Sequence, residues 1–202
     1  MIKKMLSELE HDAIKEIANI GAGNAATALS DMVNKRIDIK VPDVSFVAIE
    51  KIAETLERPE EQVYGVLLEI NGDIDGTMLL MFEKNTALRL ISLLLGEEKK
   101  DVDEMGDSTL KEVGNIICAA YLNSLADFLE MKILPSVPSS CYDMAASLLN
   151  TVAAQHAMVA HTALLTNTKL HIDKENFKGE FILMTTPKAM NRIIKELNKK
   201  MA

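Results

Sequence analysis

One stretch of this chain occurs twice. Residues 12–42 and 108–138 align without a gap at a constant offset of 96, and nine of the 31 positions are identical. They are Lys15/Lys111, Glu16/Glu112, Asn19/Asn115, Ile20/Ile116, Leu29/Leu125, Asp31/Asp127, Ile37/Ile133, Val41/Val137 and Pro42/Pro138. Further along, GTMLLMF from Gly76 matches GEFILMT from Gly179, and Arg89 with Ile91 matches Arg192 with Ile194, now at an offset of 103. The second copy therefore carries seven extra residues, placed most simply in its hairpin loop. Internal duplication restricts the architecture severely, because each copy must build the same unit. The repeats run over about 7–96 and 104–200, and the charged segment EEKKDVDEMGD, residues 97–107, reads as a linker.

Each copy opens with a long helix. Ile14, Ile17, Ala18, Gly21, Ala25, Ala28, Leu29 and Met32 follow the spacing of a buried stripe, and Leu110, Val113, Gly114, Ile117, Tyr121, Ser124, Leu125 and Phe128 repeat it. Ser7 with Glu10 forms a capping-box pattern ahead of the first helix. A strand-like stretch, IDIKVPDVSFVAI, follows, and then two alternating runs flank NGDID, a hairpin signal. A second helix over 85–95 stops at Gly96. In the second copy KILPSVPSS holds two prolines, so its strand is less clear; a helix is predicted from about Asp143 to Ala154, with a hairpin near 157–166 and 179–185 and a last helix opened by Pro187. These elements predict an α/β (α+β) fold over residues 1–202 as a single domain. Two pseudo-symmetric repeats would share a mostly antiparallel central sheet, made of a hairpin from each half and the strand near 37–50, with the two long motif helices exposed.

The balance of 22 basic and 30 acidic residues leaves a net charge of −8, which disfavours binding to a nucleic-acid backbone. The two cysteines, Cys118 and Cys141, make no disulfide framework, and no apolar run approaches the roughly 20 residues of a membrane span. The N-terminus has no signal-peptide pattern. A reduced, cytoplasmic setting without membrane insertion is the expectation.

Opposite the apolar stripe, the first helix carries Asp12, Glu16, Asn19, Gly23, Ala26/Thr27 and Ser30, and the second carries Ser108, Glu112, Asn115, Ala119, Leu122/Asn123 and Ala126. Steps of three and four place each set in one line along its helix. Most surface positions differ between the copies, as at Asn24/Ala120 and Lys35/Met131, but the Glu, the Asn and the later Pro do not. Helix propensity gives no reason for a mid-helix Asn. A carboxylate beside a carboxamide has a chemical use: the acid can hold a cation, and the amide can orient a water, as glutamine does in GTPases. The small residues beyond them would let another protein approach closely.

The pattern Asp or Ser, three residues, Glu, two residues, Asn, twenty-two residues, Pro is present as Asp12, Glu16, Asn19, Pro42 and again as Ser108, Glu112, Asn115, Pro138. It resembles the CheC family of chemotaxis phosphatases across essentially the whole chain, including NIGAGNAATALS at 19–30. Two complete copies resemble the two-site CheC branch rather than the CheX or FliY branches. The resemblance implies hydrolysis of the aspartyl phosphate on the response regulator CheY. Asn19 and Asn115 would orient the attacking water, and Glu16 and Glu112 would dock the regulator through a lysine. Asp12 and Ser108, one turn earlier, would support contact. Pro42 and Pro138 would shape the adjoining strand or loop rather than do chemistry. No cofactor or metal of the chain's own is implied, the Mg²⁺ being that of the bound regulator. The family also implies binding and inhibition of the receptor deamidase CheD. The helix expected to start near Asp143 has no first-half counterpart, and its apolar content suits either core or a CheD-facing surface. The competing readings are a non-catalytic adaptor for phosphorylated CheY or CheD, and a structural part of the motor switch.

Other patterns yield simpler readings. GAGNAA at 21–26 mimics a dinucleotide fingerprint but lies inside a helix rather than between strand and helix. His156 and His161, five apart, would face opposite sides of a strand, which argues against zinc. Cys118 would lie near the active face of the second helix, without a histidine nearby in sequence to activate it. DVDEMGD has acidic spacing but lacks the rest of a calcium loop.

Overall fold

The structure, a computed structural model, describes residues 7–156, 162–172 and 175–201. Its elements in chain order are α1 (Glu8–Val33), β1 (Ile37–Ala48), a 3₁₀ helix (Ile49–Thr55), β2 (Gln62–Gly72), β3 (Gly76–Glu83), α2 (Lys84–Leu95), α3 (Glu104–Leu129), β4 (Ile133–Pro135), β5 (Ser139–Met144), α4 (Ala145–His156), β6 (Thr162–Ile172), β7 (Glu175–Thr185) and α5 (Pro187–Met201). Seven strands form one antiparallel sheet in the order β1-β6-β7-β3-β2-β4, with β5 also pairing β2. The β3–β7 pair lies at its centre and joins the two repeats. At the edges the repeats exchange strands: β1 of the first pairs with β6 of the second, while β4 and β5 of the second pair with β2 of the first.

Both faces of the sheet are covered, so its central strands are apolar on both sides. In β3, Met78, Leu80 and Phe82 face the cluster beneath α1 and α3, and the alternate Leu79 and Met81 face a smaller cluster with the 3₁₀ helix and α4. α4 buries Leu148, Leu149 and Val152 in that second cluster. The helix expected to lack a first-half counterpart thus serves as core on that face, and the 3₁₀ helix, 96 positions earlier and in the same cluster, is its shorter counterpart. Among the described residues, no helix is long and apolar enough to cross a membrane.

The two long helices follow from their ends and their small residues. Ser7 and Glu10 form the expected capping box on α1, and α1 and α3 end on left-handed residues at corresponding positions, Asn34 and Glu130. Gly21 lets α1 approach α3 closely, since a Cβ there would lie 2.9 Å from the Tyr121 Cα. The β2–β3 turn needs Gly72, whose φ is 118° and whose added Cβ would meet the Lys132 carbonyl oxygen at 2.3 Å.

Several expectations are corrected. Ala28, Met32 and Phe128, assigned to the buried stripes, are exposed, and Ala26 and Leu122, assigned to the open face, are buried. Both shifts follow from packing α1 against α3 as well as the sheet, which turns the buried stripe around each helix. The proline-rich segment forms two sheet strands, β4 and β5, where no clear strand was expected; Pro135 and Pro138 end and interrupt the pairing at the sheet edge, where proline is tolerated. Asp143 consequently lies in β5 and not in a helix. The second hairpin begins at Thr162, and His156 ends α4 rather than occupying a strand. His161 lies outside the described residues. Residues 145–161 span 17 positions where 49–61 span 13, so four of the seven extra residues precede β6 rather than lie in the hairpin. The last four residues of the expected linker, 104–107, are the first turn of α3, capped by the Asp103 side chain on the Gly106 N–H.

Candidate functional site

The motif residues of each copy line one helix face beside the edge strand that follows it. Asp12, Glu16, Ser108 and Glu112 are exposed, and Asn19 and Asn115 are half-buried. Among the described residues neither Glu16 nor Glu112 makes an ion pair. Each copy therefore presents an uncompensated carboxylate one turn from a carboxamide, an arrangement open to a cation from outside.

The repeated Val-Pro dipeptide has a structural meaning. β1 pairs with β6 as far as Lys40↔Lys169 and resumes at Asp43↔Asn167, so Val41 and Pro42 stand opposite one residue. In the second copy Pro135 pairs with Ile70, and pairing resumes at Ser139↔Leu67. Carrying the register one step further puts Ser136 opposite Glu69, and the Ser136 N–H donates to the Glu69 carbonyl at 2.8 Å. Val137 and Pro138 then face one residue as well. Both copies thus place Val-Pro in a one-residue β-bulge next to the motif helix, and bulges re-aim the chain beside functional sites. Pro42 and Pro138 sit where the ladder is broken and a missing N–H does least harm.

Other helix-to-strand ties recur at the same offset. His11 Nε2 lies 2.8 Å from the Val44 carbonyl oxygen in the first copy. At the matching positions in the second, the Ser140 hydroxyl donates to Asp107 Oδ1 at 2.5 Å. Asp107 also pairs with Lys111 at 2.7 Å. Burial opposes the charged form of Asp107, but Lys111 and Ser140 together outweigh it and lower its pKa. Sequence reasoning missed this pair of ties; His11 and Asp107 share no chemistry, and only register reveals that they do the same work.

The two asparagines are held differently. Asn19 Nδ2 donates to the carbonyls of Lys15 at 3.0 Å and Val41 at 3.2 Å, and the Val41 N–H donates to Asn19 Oδ1 at 3.1 Å. Its carboxamide pairs with the bulge as a neighbouring strand would. The Asn115 carboxamide has no hydrogen bond among the described residues. The Val137 carbonyl instead accepts from the Ser136 hydroxyl at 3.1 Å, and that hydroxyl accepts from the Glu69 N–H at 2.9 Å. Val41 is buried, 2% exposed, while Val137 is 88% exposed. In the second copy the bulge carbonyl is thus served by Ser136 from within the strand and not by Asn115 from the helix.

Two expectations about other residues change. Cys118 does not reach the active face: it is buried with its thiol 3.0 Å from the Met78 sulfur, and burial pushes its pKa up to about 12, which removes it as a nucleophile. Asp143 accepts from the Met144 N–H and the Ser147 hydroxyl just ahead of α4, whose first N–H groups donate to the Glu61 and Pro59 carbonyls. The exposed Leu134, Tyr142 and Met144 lie along the same outer edge of the sheet.

Comparison with known proteins agrees with this geometry. The profile of the CheC-like family matches residues 9–46, covering α1 and most of β1. That of chemotaxis phosphatase CheX matches residues 64–162, which include α3 and its bulge. The CheY-P phosphatase CheC of Bacillus subtilis (strain 168) is 28% identical over 170 residues, 82% of this chain and 81% of that protein. The flagellar motor switch phosphatase FliY of the same organism is 33% identical over 139 residues, 66% of this chain but 35% of FliY. Among solved structures, FliY of Thermotoga maritima superposes with a TM-score of 0.80 at 22% identity, covering 97% of this chain and 99% of that one. The FliM middle domain of H. pylori gives 0.68 at 13% identity, covering 95% and 99%. At these identities the structural likeness establishes the fold.

Proposed function

Because the chain belongs to the CheC-like family of chemotaxis proteins, we propose that it is a phosphatase for the aspartyl phosphate of phosphorylated CheY. The observation that carries this reading is the repeated pair: an exposed carboxylate without an internal partner, one turn from an asparagine, beside a strand bulge, in both copies. Glu16 and Glu112 dock the regulator through a cationic side chain, which an acidic protein of net charge −8 favours over long range. The asparagine carboxamide enters the regulator's site and accepts a hydrogen bond from a water in line with phosphorus. The water oxygen bonds to phosphorus, the bond from phosphorus to the aspartate oxygen breaks, and phosphate leaves as the carboxylate returns. An acyl phosphate is already reactive, so alignment supplies most of what is needed and no covalent intermediate on this chain is required. No metal of this chain's own enters the reading, and an Mg²⁺ held by the regulator would supply charge neutralisation at the phosphoryl group.

Asp12 and Ser108 lie at the entrance to each pair and contact the regulator's rim. CheD would dock on the outer edge of the second copy, where Tyr142 and Met144 are exposed around Asp143. A non-catalytic adaptor is the rival reading, and the engagement of Asn19 by Val41 favours it for the first copy taken alone.

Phosphate loss from phosphorylated CheY separates these readings. The wild type should accelerate it, and the variant carrying Asn19→Ala with Asn115→Ala should lose roughly a hundredfold of that acceleration. A double variant as fast as the wild type sinks the mechanism, and a wild type that adds nothing to the regulator's own decay leaves the adaptor.

A further inference from the structure

The two copies match in register and in the tie from the first helical turn, but the bulge itself is turned differently, with Val41 inward at 2% exposed and Val137 outward at 88%. The difference at the asparagine comes down to which group satisfies the carbonyl in the bulge. In the first copy Asn19 satisfies the Val41 carbonyl and N–H together. In the second the Ser136 hydroxyl satisfies the Val137 carbonyl while accepting from the Glu69 N–H, which uses its one donor and an acceptor position. The residue matching Ser136 in the first copy is Lys40, which has no short hydroxyl to fill that place.

We propose that Ser136 is a positioning residue that keeps Asn115 free, and that Asn19 is held shut by its own strand, so the second site carries most of the turnover. This rests on the phosphatase reading and assigns an order to its two sites. The first site works only when Val41 lets go of the amide, and that opening is a step the second site does not need. Removing the Ser136 hydroxyl takes away the internal donor of the exposed Val137 carbonyl, and Asn115, at the position matching Asn19, can then compete with water for that place. The second site would then close as the first does.

The test uses the full chain and phosphorylated CheY. Ser136→Ala should lower kcat roughly ten- to a hundredfold with KM little changed, because Glu112 still docks the regulator. Ser136→Thr, which keeps the hydroxyl, should retain the rate. Asn115→Ala should remove most of the wild-type activity and Asn19→Ala a minor share. In the Asn115→Ala background, Lys40→Ser should raise the residual rate. NMR gives a readout independent of turnover: the Asn19 side-chain amide protons should exchange with water at least roughly tenfold more slowly than those of Asn115, and Ser136→Ala should protect Asn115. Equal losses for the two asparagine variants, or a Ser136→Ala protein with unchanged kcat and an unprotected Asn115, overturns the proposal. If even the wild type releases no phosphate, the phosphatase reading fails, and the exchange data alone still decide whether Ser136 governs Asn115.

Discussion

The different hold on the two asparagines predicts opposite effects on stability, independent of any activity. Asn19→Ala removes two hydrogen bonds to the main chain of Val41, a residue 2% exposed. Each such bond contributes about 0.5–1.5 kcal/mol net, and leaving a buried donor or acceptor unmet costs about 1–3 kcal/mol. A combined loss of about 2–4 kcal/mol is offset by the better helix propensity of Ala, at most ~0.7 kcal/mol. The bond to the Lys15 carbonyl adds little, since that oxygen already serves the helix. For a chain of this size each kcal/mol moves Tm by roughly 2–4 °C, so Asn19→Ala should melt about 3–13 °C lower. Asn115→Ala removes no internal hydrogen bond and should melt level with the wild type or about 1–3 °C higher. Scanning calorimetry on both variants, checked by urea unfolding at fixed m, measures the difference. If Asn19→Ala melts within a degree of the wild type, or Asn115→Ala falls as far as Asn19→Ala, the account of the Val41 clamp is wrong.

Two further outcomes follow from packing and charge. Gly114→Ala should destabilise by about 1 kcal/mol: the new Cβ would lie 2.5 Å from Val66 Cγ1, an overpacking cost of about 1–3 kcal/mol against a helix gain of at most ~1 kcal/mol, read by urea midpoint. Glu10 is held below its usual value of 4.5, first by the Ser7 N–H and then by Asn198, with burial opposing. A lowered folded pKa gives stability that is full above that value and is lost as pH falls through the folded one. Unfolding free energy measured between pH 5 and 3 should therefore fall less steeply in Glu10→Gln than in the wild type, and parallel slopes would refute the assignment.

The parts of the fold legible in the sequence are those fixed by local rules. The capping box at Ser7 and Glu10, the stop at Gly96 and the hairpin around NGDID stand in the structure as read, while GTMLLMF is a strand as read but is buried on both faces instead of alternating. The repeat located the second motif helix before any pattern in that half did. β4 and β5 were hidden because two prolines disguise them, and their strand character comes only from pairing with β2 across the chain. Ala28 and Met32 were misplaced because a single 3.6 period assumes one buried face, while α1 meets both the sheet and α3. At the site, the shared Val-Pro was visible but its bulge was not, since a bulge is a property of two strands. The unequal states of Asn19 and Asn115 were invisible for a further reason: the residues are identical, and the distinguishing group is the Ser136 hydroxyl three positions before Ser139, where pairing resumes.

The exchange of edge strands between the repeats also sets the order in which the chain can finish folding. β1 must wait for β6, which lies 162 − 48 = 114 to 172 − 37 = 135 residues downstream. At synthesis rates of 5–20 residues per second that is roughly 6–27 s, long compared with helix formation. During this interval a strand with one apolar face has no ladder partner, a state that invites pairing with another nascent chain. What α1 can offer is immediate. His11, Asn19 and Ser30 reach Val44, Val41 and Ile37, partners separated by at most 33 residues, and they occupy main-chain groups at three points along the waiting strand. The clamp that closes the first site can thus act as a splint during synthesis, guarding the edge until its neighbour arrives.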